Sequence, residues 1–231
     1  MDAARDDDAG AGPAPAKRSR RPRGPALSRD RIVAEALALV DARGLDAFSF
    51  RTLAARLGVQ AMSLYNYFPS KAHLFEAMVD ACLAEFMARP DTGTWQDRMR
   101  AEALALRDLA LRHPGFLLYL AIFRMNSRAG LAFLERLMGV VAATGLPEEA
   151  QARYFRAVSY YVSGACIDET LGYANGPSSV APVPEAEARR DFPRIMAAGR
   201  WWAEGQRRAT FELGLDAFIA AIEADLAALR R

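Results

Sequence analysis

The 231-residue chain holds only two cysteines, Cys82 and Cys166, and two histidines, His73 and His113. Two cysteines make no disulfide framework, and with no Cys-x-x-Cys pair and no histidine cluster a zinc site has no ligand set. Apolar runs are broken by Arg, Asp or Glu well short of the about 18 residues of a membrane helix. The first thirty residues carry charges and prolines where a signal peptide needs an apolar centre. These absences predict a cytoplasmic protein with no metal and no other cofactor. There is no nucleophile elbow and no glycine-rich phosphate loop. The adjacent carboxylates Asp168 and Glu169 would point about 100° apart on a helix and could not flank one bond as acid and base. The sequence therefore reads as non-enzymatic.

What the chain does have is apolar content, 52% of residues, enough for one large core or two small ones. Its charge is uneven. Residues 1–16 carry one base and four acids, residues 72–231 eighteen bases and twenty acids, and residues 17–71 eleven bases against four acids. Net charge over 17–71 is thus +7, and Lys17 to Arg23 packs five bases into seven residues. A basic run can be a solvated tail. Beside an ordered basic domain it fits a polyanion partner, because Lys and Arg displace counterions condensed on phosphates.

Helix signals recur along the chain and period-2 strand patterns do not, so the expected fold class is all-α. Residues 1–27, rich in Ala, Asp, Gly, Pro and Arg, read as a disordered basic arm. Ser28 caps a first helix that ends at Gly44, and Ser49 caps a second that stops at Gly58. A third short helix spans Ala61–Tyr67, and Ser70 opens a fourth running to about Ala88. Thr94-Trp95-Gln96-Asp97 starts a fifth that ends at His113-Pro114-Gly115. Helices are expected over 115–125 and 128–144, and a long one from Pro147 to about Leu171. Residues 172–184 read as a loop, Arg189–Trp202 as one short helix and Gln206–Arg230 as the last long one.

The pair Phe50–Leu57 and Ala61–Tyr67, joined by Gly58-Val59-Gln60, has the plan of a helix-turn-helix, whose second helix enters the major groove. Leu53, Ala54, Leu57, Val59 and Leu64 sit where they can pack. Arg51, Thr52, Gln60, Ser63, Tyr65, Asn66 and Tyr67 are left as the outward set. Residues 29–80, with Leu53-Ala54-x-x-Leu57-Gly58-Val59, Ser63-Leu64-Tyr65-x-Tyr67-Phe68 and Ser70-Lys71-x-x-Leu74, resemble the DNA-binding segment of the TetR family of transcriptional regulators. His113-Pro114-Gly115, Gly164, the proline-rich loop and Phe211-Glu212-Leu213-Gly214-Leu215 resemble, more weakly, a tetracycline-repressor type of C-terminal domain.

The resemblance implies a helix-turn-helix domain over 28–75 and a helical effector-binding and dimerisation domain over 76–231. It implies a homodimer on a near-palindromic double-stranded operator, with Arg51 and residues of the Ala61–Tyr67 helix, Ala61 included, at base edges. Ser63, Tyr65 and Lys71 match positions that touch phosphate. Tyr67 is expected to be at least half buried and Tyr65 to be the contact. Phe116, Tyr119, Leu120, Phe123 and Tyr161, with Arg124 or Asp168 as orienting groups, are expected to wall a pocket for a small apolar effector. Tyr119 stands near where the founding members need a ligating histidine, which argues against tetracycline with magnesium. Ala157, Tyr161, Gly164 and Ala165 with Phe211, Leu215, Phe218 and Ile222 are expected to pair across the dimer, or to pack within one chain. The function so implied is a ligand-responsive repressor. The alternatives are a DNA-binding protein whose second domain takes a protein partner, and an all-helical enzyme.

Overall fold

The computed structural model describes residues 26–122, 125–172, 180–199, 201–202 and 204–231. Among the described residues regular structure is helical throughout, with no strand. The helices are α1 (Arg29–Arg43), α2 (Phe50–Leu57), α3 (Ala61–Tyr65), α4 (Lys71–Met87), α5 (Trp95–Arg112), α6 (Pro114–Ile122), α7 (Arg128–Ala142), α8 (Glu148–Ile167), α9 (Glu185–Asp191), α10 (Pro193–Gly199) and α11 (Arg207–Leu229).

The starts of these helices follow from side chains that satisfy free N–H groups. Ser28 accepts from the Arg31 amide, and Ser49 and Thr52 form a reciprocal capping box. Ser70 accepts from the His73 amide, and Thr94 and Asp97 form a second box. Gly58, at φ 70°, supplies the left-handed turn that swings the chain from α2 into α3.

α1 to α3 and the first turns of α4 make a small head around Ile32, Leu53, Leu64, Phe68 and Leu74, each fully buried. The same apolar cluster continues along α4 to Phe86 and reaches Leu109, Phe116 and Phe133 of the body. α4 therefore belongs to both parts. α6 docks on α1: Gly115 lies so close that an added Cβ would overlap the Val40 carbonyl and the Asp41 Cα. His113 Nδ1 and Asp41 Oδ2 share a hydrogen bond of 2.7 Å across the same seam.

In the body α8 packs on α5, α7 and α11. Gly214 lets α11 approach the ring of Tyr161, whose hydroxyl donates to the Phe211 carbonyl at 2.8 Å. Glu102 of α5, 4% exposed, accepts from Arg89 and from Arg136, and Arg136 also donates to the carbonyls of Met87, Arg89 and Pro90. This triad, with Glu102 and the Arg136 side chain buried and Arg89 partly exposed, ties the end of α4 to α5 and α7.

Several expectations need correction. The arm expected over 1–27 falls mostly outside the described residues, but Leu27 packs on the head's core and accepts from the Tyr67 hydroxyl. α3 ends at Tyr65, not Tyr67, because Tyr67 turns back to make that bond while Arg29 donates to its carbonyl. The single helix expected over Arg189–Trp202 is two, broken at Phe192 (φ −128°, ψ 51°): Pro193 has no N–H and pushes the residue before it out of the helical region. The long helix from Pro147 keeps its α-form to Ile167 and finishes in a π-helical turn, Asp168–Gly172. Of the two arrangements left open for α11, Phe211, Leu215 and Ile222 take the intrachain one and are buried against α8 and α5.

Candidate nucleic-acid interface and ligand cavity

The head presents one face built from the start of α2, from α3 and from the turn into α4. Arg51 is exposed at the second position of α2, and Gln60, Tyr65 and Asn66 are exposed along and beside α3. Tyr65 is 46% exposed and lays its ring against Phe50, centroids 4.7 Å apart. Tyr67 is half-buried, with its hydroxyl tied to Leu27 as above. Ser63 and Ala61 are half-buried, and Ala61 packs on the core. Thr52 spends its hydroxyl inside the capping box, donating to the Ser49 carbonyl at 2.8 Å. Lys71 is exposed but folds its ammonium over the rings of Phe48 and Phe75, 5.3 and 5.0 Å from their centroids.

Two residues on this face carried no signal strong enough to single out. Met62, in neither the packing set nor the outward set read from the sequence, is 72% exposed. Arg29 stacks over Phe68 at 4.3 Å while bonding the Tyr67 carbonyl at 2.6 Å, which fixes a cation beside the end of α3.

The body contains a cavity of about 200 Å³ between α4, α5, α6, α7 and α8. Its wall includes Leu83, Leu106, Leu109, Leu117, Leu120, Phe133, Leu137, Phe155 and Val162, with Ser159, Ser163 and Cys166 as its polar groups. A smaller space of about 50 Å³ bounded by Met99, Glu102 and Val140 adjoins it, sharing Leu106, Leu137, Phe155, Ser159 and Val162. Ser159 donates to the Phe155 carbonyl at 2.7 Å. Burial, then the charge of Glu169, pushes the Cys166 thiol up to about 12, so it stays protonated at neutral pH. The single carboxylate at the edge, Glu102, is held by two guanidiniums. The cavity thus offers a ligand shape and apolar surface with no unneutralised charge.

Of the expected wall, Leu120 lines this cavity and Phe116 and Tyr119 do not. Phe116 is fully buried and stacks on Tyr119 at 5.2 Å, and both rings meet Phe75 of α4, at 6.0 and 4.9 Å. They face the head because the α6 surface toward α1 and α4 must be as apolar as the surface toward the cavity. Phe123 and Arg124 lie outside the described residues. Tyr161 and Asp168 line a different cleft, with Trp201, Trp202 and Phe211. The missed wall of α8, positions 155, 159, 162 and 166, follows one helical stripe in which two residues are small and polar, a pattern present in the sequence.

Among the described residues no helix is long and apolar enough to cross a membrane, and no group of three or more His, Cys, Asp or Glu is placed to hold a metal ion.

A helix-turn-helix head is thus continuous with a hollow helical body. The domain described as bacterial regulatory proteins, tetR family, matches residues 32–78, and the tetracyclin repressor-like C-terminal domain matches residues 88–226. The chain belongs to the TetR family of transcriptional regulators. It is 30% identical to the HTH-type transcriptional repressor DrrR1 of Streptomyces coeruleorubidus, over 77% of this chain and 67% of that one. A crystal structure from Streptomyces coelicolor described as a possible TetR family transcriptional regulator superposes with a TM-score of 0.70 at 28% identity, covering 85% of this chain and 99% of that one. The same organism's ActR, solved in complex with actinorhodin, superposes with a TM-score of 0.64 at 25% identity, covering 87% and 99%.

Proposed function

We propose that this chain is a cytoplasmic repressor that acts as a homodimer, each head reading one half-site of a near-palindromic operator, and that a small, uncharged, largely apolar effector releases it. In this reading residues 28–75 read DNA and residues 76–231 bind the effector and dimerise. The observation that carries it is the continuity of one apolar cluster from the reading head to the body's cavity: Phe75 of α4 touches Phe116 and Tyr119, and the next residues on α6, Leu117 and Leu120, are cavity wall. An effector that reshapes the wall moves the same helix that braces the head. That ActR was crystallised with actinorhodin supports a ligand role for the corresponding body.

In this reading Arg51, Gln60, Ala61 and Asn66 meet bases, while Ser63, Tyr65, Lys71 and the exposed sides of Thr52 and Tyr67 meet the backbone. Against the enzymatic alternative, Glu169 is engaged by Arg107, which donates to both of its oxygens at 3.0 and 2.6 Å.

Substitution of the two cations tests the reading. Arg51→Ala should cost about 1–3 kcal/mol on the operator and relax preference at one base pair per half-site, because a guanidinium matches the two acceptors of guanine. Lys71→Ala should weaken specific and scrambled duplexes alike and flatten the slope of log affinity against log salt by about one. Filter binding at two salt concentrations on both duplexes reads the result. Equal losses for Arg51→Ala on both duplexes would make Arg51 a phosphate contact, and a salt-insensitive affinity would contradict DNA binding of this kind.

A further inference from the structure

The helix that enters the groove points an apolar side chain outward. Leu64 is fully buried and fixes which side of α3 faces the core. Residues two apart on an α-helix differ by about 200° around its axis. Met62 therefore projects from nearly the opposite side, and at 72% exposed it is the most exposed large hydrophobic residue described in the head. Asn66, four residues on and on the same face, is polar and exposed, as is Gln60 at the helix start.

A groove-inserted helix brings its outermost side chain against base edges. Those edges carry acceptors and donors, and one apolar group, the C5-methyl of thymine. A thioether has no donor and is a weak acceptor. Set against an amino group or a ring nitrogen, Met62 would strip water from it and return no hydrogen bond, which is unfavourable. Set against a methyl, it buries apolar surface on both sides, and its unbranched, polarisable chain can follow the contour.

We propose that Met62 is a specificity-determining residue that reads the methyl group of one thymine in each half-site. The inference rests on the reading of α3 as the recognition helix and adds to it the identity of one base. It is independent of Arg51, which sits on α2 and would read guanine through hydrogen bonds.

The test uses the full-length protein and a duplex that it selects from a random pool. Each thymine of the selected duplex is replaced in turn by deoxyuridine, which removes the methyl and leaves pairing and O4 in place. At one thymine position per half-site, uracil should weaken wild-type binding about fourfold, the equivalent of about 0.8 kcal/mol for one buried methyl. With Met62→Ala, thymine and uracil at that position should bind alike, and with Met62→Leu the uracil penalty should persist. Met62 is solvent-exposed, so both variants should melt with the wild type, and the melting curve verifies that they are folded. The inference is overturned if no thymine is uracil-sensitive, or if the penalty survives undiminished in Met62→Ala. Failure to select any duplex would instead overturn the DNA-binding reading beneath it.

Discussion

Glu102→Ala is expected to destabilise the protein by about 3–5 kcal/mol, the range for removing one partner of a buried ion pair. The carboxylate is 5% exposed and the Arg136 side chain 7%, so the abandoned guanidinium has almost no access to water. Arg136 cannot simply swing out, because it is also held by the carbonyls of Met87, Arg89 and Pro90. For a chain of this length about 2–4 °C of melting temperature accompanies each kcal/mol, so thermal unfolding should fall by roughly 6–20 °C. Replacing the triad by apolar residues of similar volume (Glu102→Leu with Arg89→Met and Arg136→Met) should recover much of the loss, since the buried charges are costly to desolvate in the first place. A loss below about 1 kcal/mol for Glu102→Ala would mean that water reaches the triad and that it does not fasten α4 to α5 and α7.

Gly115→Val should have its largest effect on operator binding. The atoms a side chain would meet are the backbone of α1 at Val40 and Asp41, which cannot rotate away as a side chain could. α6 must then move off α1, straining the His113 to Asp41 hydrogen bond and the Phe75, Phe116 and Tyr119 packing. Overpacking of this kind costs about 1–3 kcal/mol of stability. Operator affinity should fall at least about tenfold, the equivalent of about 1.4 kcal/mol, because the head loses its register on the body. Leu117 and Leu120 of the displaced helix are cavity wall, so the rise in melting temperature given by a ligand of the body should shrink as well. An unchanged operator affinity would show that the head is held by α4 alone.

Much of this arrangement is legible in the sequence where a single residue type has a single local job. Ser28, Ser49, Ser70 and Thr94 cap helices, Gly58 takes a left-handed turn, and all are found in those roles. The helix-turn-helix was legible for the same reason. Faces were harder. α6, Pro114–Ile122, is apolar nearly all round, so periodicity gives no stripe to orient it, and Phe116 and Tyr119 went to the head while Leu117 and Leu120 went to the cavity. On α11 the apolar stripe was plain, but one face of a helix does not reveal whether its partner is the same chain, and Phe211, Leu215 and Ile222 pack internally. Met62 was overlooked because apolar residues are ordinarily expected inside. With Leu64 taken as core, the roughly 200° between residues two apart puts Met62 on the outer side, and its exposure shows it there. Arg29 needs the fold to bring it 38 residues along the chain to the Tyr67 carbonyl.

The central claim is that cavity and head share one equilibrium. A compound that raises the melting temperature of wild type, but not of a variant with the cavity filled by Ser159→Trp, supplies the probe. Its affinity is then measured by calorimetry with the free protein and with the protein saturated by operator. Linkage requires that operator weaken the compound's binding by the same factor as the compound weakens operator binding, and a coupling of about 1–3 kcal/mol predicts a factor of roughly 5–150 in both directions. Equal affinities in the two titrations would contradict allosteric release and leave the cavity without a regulatory part.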